Sequence, residues 1–416
     1  DATNMKILHT ADWHLGNSFH GYDRTEEHRH FLAWLLEQVV QRRPDALIVA
    51  GDVFDSPNPS ARAEELLYDF LLRATQAVKG LQVVVIAGTH DSAGRLEAPA
   101  SLLKTLNIYV RGGIRLTEKG EPDFDYYLLP LAELGSDEAA CVCMALPFLR
   151  GGDYPAGMTP EEGLRFFFEE MHRCLKRSDF AGLPVVAAAH FYAAGASVCE
   201  GEHSERLVVG GQDCVDARVV GKGVAYTALG HLHKAQQVAG CPDVCYAGSA
   251  LPMSFAERGY RHGAQWVELD EAGQARVSRL DYNPLRHLMC IPTQGTAASV
   301  SEVFDEIAQL PRRAKGDDGA DWPYLEIRLA EKQPEPTLQH EVCEALADRA
   351  VHLCRLLRVR PESPAADASE PQPERQALDP LLMANLHFKA RYGEAMPEPL
   401  AERFRQAAQE AEEVAL

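Results

Sequence analysis

The stretch Met5-Lys-Ile-Leu-His-Thr-Ala-Asp-Trp-His14 sets the pattern of this chain: a short apolar run that ends in Asp and His. Four later apolar runs end at polar clusters of the same kind. Short runs without polar alternation are typical of buried parallel strands. The five runs are Met5 to Thr10, Ala46 to Ala50, Leu81 to Ala87, Pro184 to Ala189 and Val224 to Leu229.

Asp and His residues follow all five runs directly. In an open α/β sheet, residues just beyond the carboxyl ends of the strands converge in space although they are far apart in sequence. A single His at a strand end is more often structural, but five successive clusters favour one dinuclear metal site. The clusters are Asp12-Trp13-His14, Gly51-Asp52, Thr89-His90-Asp91, His190 and Gly230-His231-Leu232-His233.

The ligand types of these clusters indicate which metals would bind. Imidazole is a borderline ligand and carboxylate a hard one, so the mixture suits Mn, Fe or Zn better than Mg or Ca. Asp12 and His14 are two residues apart in an extended segment, so both side chains can point to the same side of the sheet edge. Asp52 can bridge two ions about 3.5 to 4 Å apart. Asp55 and Asp91 are interpreted as helix caps or as groups that orient neighbouring His rings.

Length and composition limit the classes of function. The chain has 416 residues, 46% hydrophobic and 25% charged, which predicts a globular protein of two or three domains. The formal charge of -20 argues against broad attraction to a polyanion. It does not argue against a phosphate substrate, because bound divalent ions invert the local field. Neither a membrane helix nor a signal peptide is indicated, so we expect a cytoplasmic protein.

Helical periodicity between the first apolar runs predicts βαβ units, a mostly parallel sheet and hence an α/β fold. One helix is predicted around Phe31 to Val39, and another around Leu66 to Leu71. From Gly112 to Tyr282 the strand-like runs are short and turns are frequent, as in a β-rich region. The strands predicted there include Phe124 to Leu131 and Val142 to Leu146.

The composition changes at about Asn283, where the Asp and His clusters stop. The stretch Pro361 to Pro380 is rich in Pro, Ala, Ser and acidic residues, which predicts a mobile linker. Residues 381–416 show two amphipathic helices, which either pack on the protein's own core or dock onto a partner helix. Between these changes a βαβαβ order is predicted, with strands His287 to Ile291, Tyr324 to Leu329 and Val351 to Val359, and helices Val300 to Leu310 and His340 to Ala347.

The clusters and their immediate neighbours resemble the signature of the calcineurin-like metallophosphoesterases. Longer stretches are similar to the SbcD family of bacterial nuclease subunits, notably Ile7 to Gly16, Ile48 to Asp55, Ala228 to Ala235 and Ala247 to Phe255. The motifs that carry the wider resemblance are Asp12-x-His14, Gly51-Asp52-x-x-Asp55, Gly88-Thr89-His90-Asp91, His190 and Gly230-His231-x-His233.

The resemblance implies a domain organisation and a set of partners. Residues 5–282 would form a four-layer α/β/β/α phosphoesterase nuclease domain, and residues 283–360 a small α/β capping domain that shapes DNA access. Residues 361–380 would link these to a helix pair, 381–416, which binds the coiled coil of an SbcC-type ATPase. The nuclease subunit would be a homodimer within a heterotetramer, and it would act on DNA at the bacterial nucleoid.

The resemblance also implies roles for individual residues. Asp12, His14, Asp52 and His233 would hold one Mn²⁺, and Asp52, His190 and His231 the other, with Mg²⁺ or another divalent ion as alternatives. His90 would be the general acid, or would stabilise the transition state, opposite the leaving oxygen. The family has Asn before this His, whereas this chain has Thr89, whose hydroxyl is a shorter and weaker ligand.

Three functions follow as hypotheses. The first is a Mn-dependent DNA nuclease, a double-strand exonuclease and single-strand or hairpin endonuclease, in DNA repair, recombination and replication. The second is a phosphatase of small phosphoesters or phosphoproteins, and the third is a DNA-end scaffold weakened by Thr89. The locally basic and aromatic residues His20, Tyr22, Arg24 and His28 either approach the DNA backbone or form a solvated loop.

Overall fold

The structure, a computed structural model, describes residues 5–197, 214–330, 337–359, 396–398 and 400–404. The chain divides into two compact units, Asp1–Val359 and Arg360–Leu416. In the second unit, a helical turn follows Pro397, whose carbonyl accepts the N–H groups of Leu400 at 2.9 Å and Ala401 at 3.1 Å. The predicted linker and most of the predicted helix pair lie outside the described residues.

Strands dominate the described part of the first unit. They are β1 (Met5–Thr10), β2 (Ser18–Phe19), β3 (Tyr22–Asp23), β4 (Ala46–Ala50), β5 (Gln82–Ile86), β6 (Ile108–Arg111), β7 (Leu128–Ala132), β8 (Ala139–Ala145), β9 (Val185–His190), β10 (Val224–Gly230), β11 (Gln236–Val238), β12 (Cys241–Tyr246), β13 (Gly263–Leu269), β14 (Ala275–Asp281), β15 (Leu288–Ile291), β16 (Tyr324–Ala330) and β17 (His352–Val359).

The helices of this unit lie between the strands in sequence. They are α1 (Thr25–Arg42), α2 (Ala61–Ala77), α3 (Ala93–Glu97), α4 (Ala100–Leu103), α5 (Pro160–Leu175), α6 (Val300–Gln309) and α7 (Leu338–Ala345), with 3₁₀ turns at Lys104–Leu106, Phe124–Tyr127, Ala217–Val220 and Phe255–Gly259. None of the described helices is long and apolar enough to cross a membrane.

The first large sheet has the strand order β14-β13-β1-β4-β5-β6, and β1, β4, β5 and β6 run parallel. Its strands are apolar on both faces because both faces are covered. Leu8 and Leu47 pack against the helices α1 and α2. Ile7 and Ile48, on the opposite face, pack against the second large sheet. Double coverage explains why the predicted runs lack polar alternation.

The second large sheet has the order β11-β12-β10-β9-β8-β7, with β12, β10, β9 and β8 parallel. Val142 and Ala187 face Phe167 of α5, whereas Cys143 faces the first sheet. The layers therefore follow one another as helices, sheet, sheet and helix. The predicted α/β class is confirmed, and the helices predicted around Phe31 and Leu66 are α1 and α2.

One predicted strand, Phe124 to Leu131, is wrong in its first half. Residues Phe124–Tyr127 form a 3₁₀ turn, and the strand β7 begins at Leu128. Neighbouring side chains explain the turn, since Tyr126 donates its hydroxyl to Glu97 at 2.5 Å and Tyr127 donates to the carbonyl of Gly113 at 2.9 Å. A run of aromatic residues is typical of a strand, and the local sequence does not indicate these two long-range hydrogen bonds.

The stretch 288–359 forms a parallel three-stranded sheet in the order β15-β16-β17. The helices α6 and α7 cover one face of it, where Val303 and Val342 pack with Leu325 and Ile327 in a separate core. On the other face, Tyr324 packs with Phe19 of β2. The strand and helix order is the one that the sequence indicates.

Candidate metal centre

The carboxyl ends of the parallel strands in both large sheets lead to the predicted clusters. Asp12 and His14 follow β1, and Asp52 follows β4. His190 is the last residue of β9, and His231 follows β10 directly. Because β4 and β9 pack against each other between the sheets, these side chains meet at one place.

Two of the groups of potential metal ligands among the described residues share Asp52. The ligand atoms of Asp12, His14 and Asp52 all lie within 4.8 Å of one another, as do those of Asp52, His190 and His231. All five residues are buried. A carboxylate common to two groups is the arrangement that a bridged pair of ions requires.

Asp52 is the most heavily contacted of these residues. Its Oδ1 accepts the backbone N–H of His90 at 2.7 Å, and its Oδ2 accepts the hydroxyl of Thr89 at 3.0 Å. The same Oδ2 lies 3.2 Å from Nε2 of His190 and 4.0 Å from Nε2 of His14. The carboxylate is thereby fixed between the two groups before any ion binds.

His233 lies beside the first group and is held from outside it. Its ring centroid is 5.2 Å from that of His14. Its Nδ1 is 3.0 Å from Oε1 of Glu257, a buried carboxylate. A carboxylate on one ring nitrogen fixes the orientation of the imidazole and favours the other nitrogen as a metal ligand.

Backbone carbonyls orient the rings of His190 and His90, and a carboxylate lies beside the ring of His14. Nδ1 of His190 contacts the carbonyl of Ala50 at 2.9 Å, and Nδ1 of His90 contacts the carbonyl of Asp55 at 2.8 Å. Oδ1 of Asp55 also lies 3.5 Å from Nδ1 of His14. Each of these contacts leaves Nε2 as the atom that faces the centre.

The donor set fits divalent metal ions. Within the described part of the chain, Nε2 of His14 is buried without a hydrogen bond, and Nε2 of His190 is buried with the carboxylate of Asp52 beside it at 3.2 Å. A buried imidazole nitrogen without a partner is costly unless a proton or a metal occupies its lone pair. Together with the carboxylates of Asp12 and Asp52, Nε2 of His14 and Nε2 of His190 form a site suited to Mn, Fe or Zn.

Four of the candidate ligands have a left-handed backbone, which non-glycine residues rarely adopt. The φ angles are 52° at Asp12, 47° at His14, 47° at Asp52 and 102° at His231. Hydrogen bonds between the loops maintain these conformations: the N–H of His14 donates to the carbonyl of Asp52 at 3.0 Å, and the N–H of His231 to Oδ1 of Asp12 at 2.9 Å. Such strain costs about 1–3 kcal/mol per residue and is concentrated at functional sites.

Two glycines allow the loops to approach each other. A Cβ at Gly51 would overlap the ring of His190, and a Cβ at Gly88 would overlap the backbone and carboxylate of Asp52. Asp91 connects the same loops, because its carboxylate accepts the N–H groups of Gly88 at 2.9 Å and Phe54 at 2.9 Å. Gly51, Gly88 and Asp91 therefore hold the loops of the candidate centre together.

Burial and mutual charge shift the pKa values of the candidate ligands. Burial raises the pKa of Asp12 to about 7. Burial alone would lower the pKa of His190, but the nearby Asp52 carboxylate overcomes this effect and raises it to about 9. Burial lowers the pKa of His231 to about 3, and the charge of His190 adds to that effect. Without ions, His190 therefore carries the proton that neutralises Asp52.

Metal binding is expected to release protons and to strengthen as the pH rises. The raised pKa values of His190 and Asp12 leave protons on both groups near neutral pH, and these protons compete with an ion. Affinity for Mn²⁺ should rise from pH 6 to pH 9 and then level off. Calorimetric titration in buffers of different ionisation enthalpy measures the protons released, and binding at pH 7 with no proton release would contradict this prediction.

The segment after the first cluster does not face solvent throughout. Arg24 is 0% exposed and paired with Glu27, so the prediction that it approaches DNA is wrong. His28 is also buried. His20 is exposed, and the half-buried Tyr22 donates its hydroxyl to a carbonyl of β17, so DNA contacts of these two stay predictions.

Glu257 is the site residue that sequence reasoning missed. It lies in a 3₁₀ turn two residues beyond the stretch Ala247 to Phe255 and follows no strand. An acidic residue in a turn is ordinarily a solvated residue, and no pattern around Glu257 indicates that it is buried against His233.

Family models match two parts of the chain. The model of the calcineurin-like phosphoesterase matches residues 5–235, which include every cluster described above. The model of the type 5 capsule protein repressor C-terminal domain matches residues 284–392, which include the three-stranded sheet.

Known proteins are similar to most of the chain. The SbcD subunit of the nuclease SbcCD from Rhodobacter capsulatus is 37% identical over 378 residues, which are 88% of this chain and 91% of that protein. The corresponding protein of Escherichia coli K12 is 32% identical over 74% of this chain and 76% of its own length. That of Bacillus subtilis is 31% identical over 79% and 80%. The chain therefore belongs to the calcineurin-like phosphoesterase family and, within it, to the family of SbcD nuclease subunits.

Proposed function

We propose that this protein is a Mn-dependent DNA nuclease, a double-strand exonuclease and a single-strand or hairpin endonuclease. The observation that carries the proposal is the pair of ligand groups that share the buried Asp52. The names of the relatives, nuclease subunits, support DNA as the substrate.

The residues present divide between two ions. Asp12, His14, Asp52 and His233 would hold one, and Asp52, His190 and His231 the other. Bound divalent ions supply an activated water and neutralise charge on the phosphodiester. Mn²⁺ is the ion proposed, with Mg²⁺ or another divalent ion as the alternative.

The side chains outside the ligand set have separate tasks. The contact of His90 Nδ1 with the carbonyl of Asp55 fixes the ring, so that Nε2 of the imidazolium form is the atom that would give a proton to the leaving oxygen. The backbone N–H of His90 holds Asp52 in the same loop arrangement. The proton donor and the shared carboxylate are thus positioned by one short segment.

The proposed partners follow from the family. An SbcC-type ATPase would bind the helix pair 381–416 through its coiled coil, after the linker 361–380. The nuclease subunit would form a homodimer within a heterotetramer, with residues 283–360 as a capping domain that controls DNA access. Such a complex would process DNA ends in repair, recombination and replication, at the nucleoid in the cytoplasm.

Substrate comparison tests the proposal. Linear and hairpin DNA, a nitrophenyl phosphodiester and a nitrophenyl monoester are offered to the full chain with Mn²⁺, alone and with the ATPase. We expect DNA cleavage that is abolished by a chelator, and slow hydrolysis of the small esters. Rapid monoester hydrolysis without DNA cleavage would identify a phosphatase, and DNA binding without cleavage would identify a scaffold.

Thr89→Asn is expected to raise the affinity for the ion that Asp52, His190 and His231 would hold by about tenfold. It should also increase the nuclease rate at low Mn²⁺ concentration. The Thr89 hydroxyl donates to Asp52, whereas an Asn carbonyl has the reach and the lone pairs of a hard ligand. A Mn²⁺ titration of the rate measures the effect. Thr89→Ser, which keeps the hydroxyl, is the control, and equal rates for all three proteins across the titration would refute the prediction.

A further inference from the structure

Arg24 and Glu27 form a fully buried ion pair at the start of α1. Nε and NH2 of Arg24 donate to the two carboxylate oxygens of Glu27 at 3.1 Å and 2.9 Å. Both side chains are 0% exposed. A buried ion pair is seldom retained for stability alone, because desolvation offsets most of the Coulomb attraction. The role of the pair is therefore indicated by the contacts that Arg24 and Glu27 make with other segments.

On one side, the pair contacts the three-stranded sheet. The hydroxyl of Tyr324, the first residue of β16, donates to Oε2 of Glu27 at 2.7 Å. Arg286 in turn donates to the Tyr324 hydroxyl at 2.7 Å. The guanidinium of Arg24 lies 5.1 Å from the ring centre of Phe19, which packs on Tyr324. The carboxylate of Glu27 is thus fixed by Arg24, which directly precedes α1, and by Tyr324 of β16.

On the other side, the pair contacts the loop that follows β12. NH1 of Arg24 donates to the carbonyl of Pro252 at 2.7 Å. The next N–H in the chain, that of Met253, donates to Oε2 of Glu257 at 2.7 Å. The other oxygen of Glu257 lies 3.0 Å from Nδ1 of His233. A continuous series of contacts therefore leads from the three-stranded sheet to a ligand of the metal centre.

We propose that Arg24 is a positioning residue, which fixes the loop 252–257 and through it the His233 imidazole, with Glu27 and Tyr324 holding Arg24 in place. This inference rests on the proposed function in one respect, the assignment of His233 as a metal ligand. It gives the three-stranded sheet a part in ordering the metal centre. It also replaces the predicted DNA contact of Arg24 with a role in positioning the loop 252–257.

The chemistry of the guanidinium explains why Arg occupies this position. Its planar fork reaches both oxygens of Glu27 and still has NH1 for the carbonyl of Pro252. A lysine has one nitrogen and cannot span both partners. Arg24→Lys therefore keeps the charge beside Glu27 and releases the loop.

A matched substitution distinguishes positioning from general stability. Arg111 is also buried, and it donates to the carbonyls of Tyr126 at 2.8 Å and Val110 at 2.9 Å, away from the loop 252–257. Arg111→Lys therefore removes a comparable buried guanidinium without touching the series of contacts. Both variants are made in the full chain, and thermal melting confirms that they fold.

Three measurements test the proposal. In Arg24→Lys we expect the Met253 amide of the metal-free chain to exchange about tenfold faster, since its hydrogen bond to Glu257 loosens. The ¹⁵N shifts of the His233 ring should change, and Mn²⁺ affinity measured by calorimetry should fall about tenfold. Arg111→Lys should match the parent in all three. If Arg24→Lys does not fold, Tyr324→Phe replaces it, with the same changes at about threefold.

The outcomes separate this inference from the proposed function. Unchanged Met253 exchange and unchanged His233 shifts in Arg24→Lys would overturn the positioning role, as would equal changes in Arg111→Lys. Failure of the parent chain to bind Mn²⁺ would overturn the proposed function instead. Exchange and ring shifts of the metal-free chain still decide the positioning role in that case.

Discussion

Asp52→Asn is expected to lower DNA cleavage by at least about 10³-fold and to reduce the number of Mn²⁺ ions bound. Asp52 is the one carboxylate common to both ligand groups, and an amide offers a neutral oxygen in place of a shared anion. Asn tolerates the left-handed backbone that Asp52 adopts, with φ of 47°. The loss should therefore arise from charge and not from a distorted loop.

The metal-free variant provides a second readout that does not depend on activity. Burial lowers the pKa of His190, and the Asp52 carboxylate is the main influence that raises it to about 9. Removal of that charge in Asp52→Asn should bring the pKa of His190 below its ordinary value. An NMR titration of the imidazole measures the change, and an unchanged pKa would show that Asp52 does not face His190.

Asp45→Asn is the matched control for this substitution. Asp45 precedes β4, at the end of the strand opposite to Asp52, and is buried as well. Its oxygens accept the N–H groups of Lys6 at 2.6 Å and Leu134 at 2.8 Å. The variant should lose stability but keep its metals and its cleavage rate. Full Mn²⁺ binding and activity in Asp52→Asn would exclude a bridging role for Asp52.

The sequence predicted the parallel strands β1, β4, β5, β9 and β10 because their signal is local. Leu47 faces the helices and Ile48 faces the second sheet, and both of these layers are apolar. A continuous apolar run therefore predicts β4 even when the segments that pack against it are not known. The polar cluster at the end of the run marks the carboxyl edge in the same way. Convergence of the clusters then followed from a general property of parallel sheets.

Contacts between distant segments could not be predicted in this way. Arg24 lies in a basic and aromatic stretch that is typical of a surface loop, but its partner carbonyl, that of Pro252, is 228 positions away. The burial of Glu257 depends on its contact with His233, across a turn that has no periodic signal. Neither Arg24 nor Glu257 belongs to a periodic hydrophobic pattern, which is the signal that predicts burial from a single sequence.

The strained conformations of the centre were equally invisible. Positive φ is expected at glycine, and the motifs do contain Gly51 next to Asp52. The left-handed backbone of Asp12 and His14, in contrast, is imposed by hydrogen bonds to the loop after β4. A prediction that treats these residues as an extended strand end places the right side chains together but with the wrong local geometry.

His90→Gln is expected to lower kcat for DNA cleavage by about 10²–10⁴-fold while Mn²⁺ affinity changes less than about twofold. The imidazole is held by the carbonyl of Asp55, and its ring centroid lies 4.8 Å from that of His14. An amide cannot donate a proton to the leaving oxygen, so the rate of the cleavage step should fall at every pH tested. Steady-state kinetics across pH, together with calorimetric Mn²⁺ titration, measure both effects.

The alternative role for His90 is that of a metal ligand, because the ligand atoms of His14, Asp55 and His90 also lie within 4.8 Å of one another. The two roles predict opposite responses to metal concentration. A lost ligand is compensated by excess Mn²⁺, whereas a lost proton donor is not. His30→Gln removes an imidazole that contacts the Tyr282 hydroxyl at 2.7 Å, away from the centre, and should leave both quantities unchanged. If the rate of His90→Gln recovers at high Mn²⁺, His90 is a metal ligand. The role of proton donor to the leaving oxygen would then be excluded for His90.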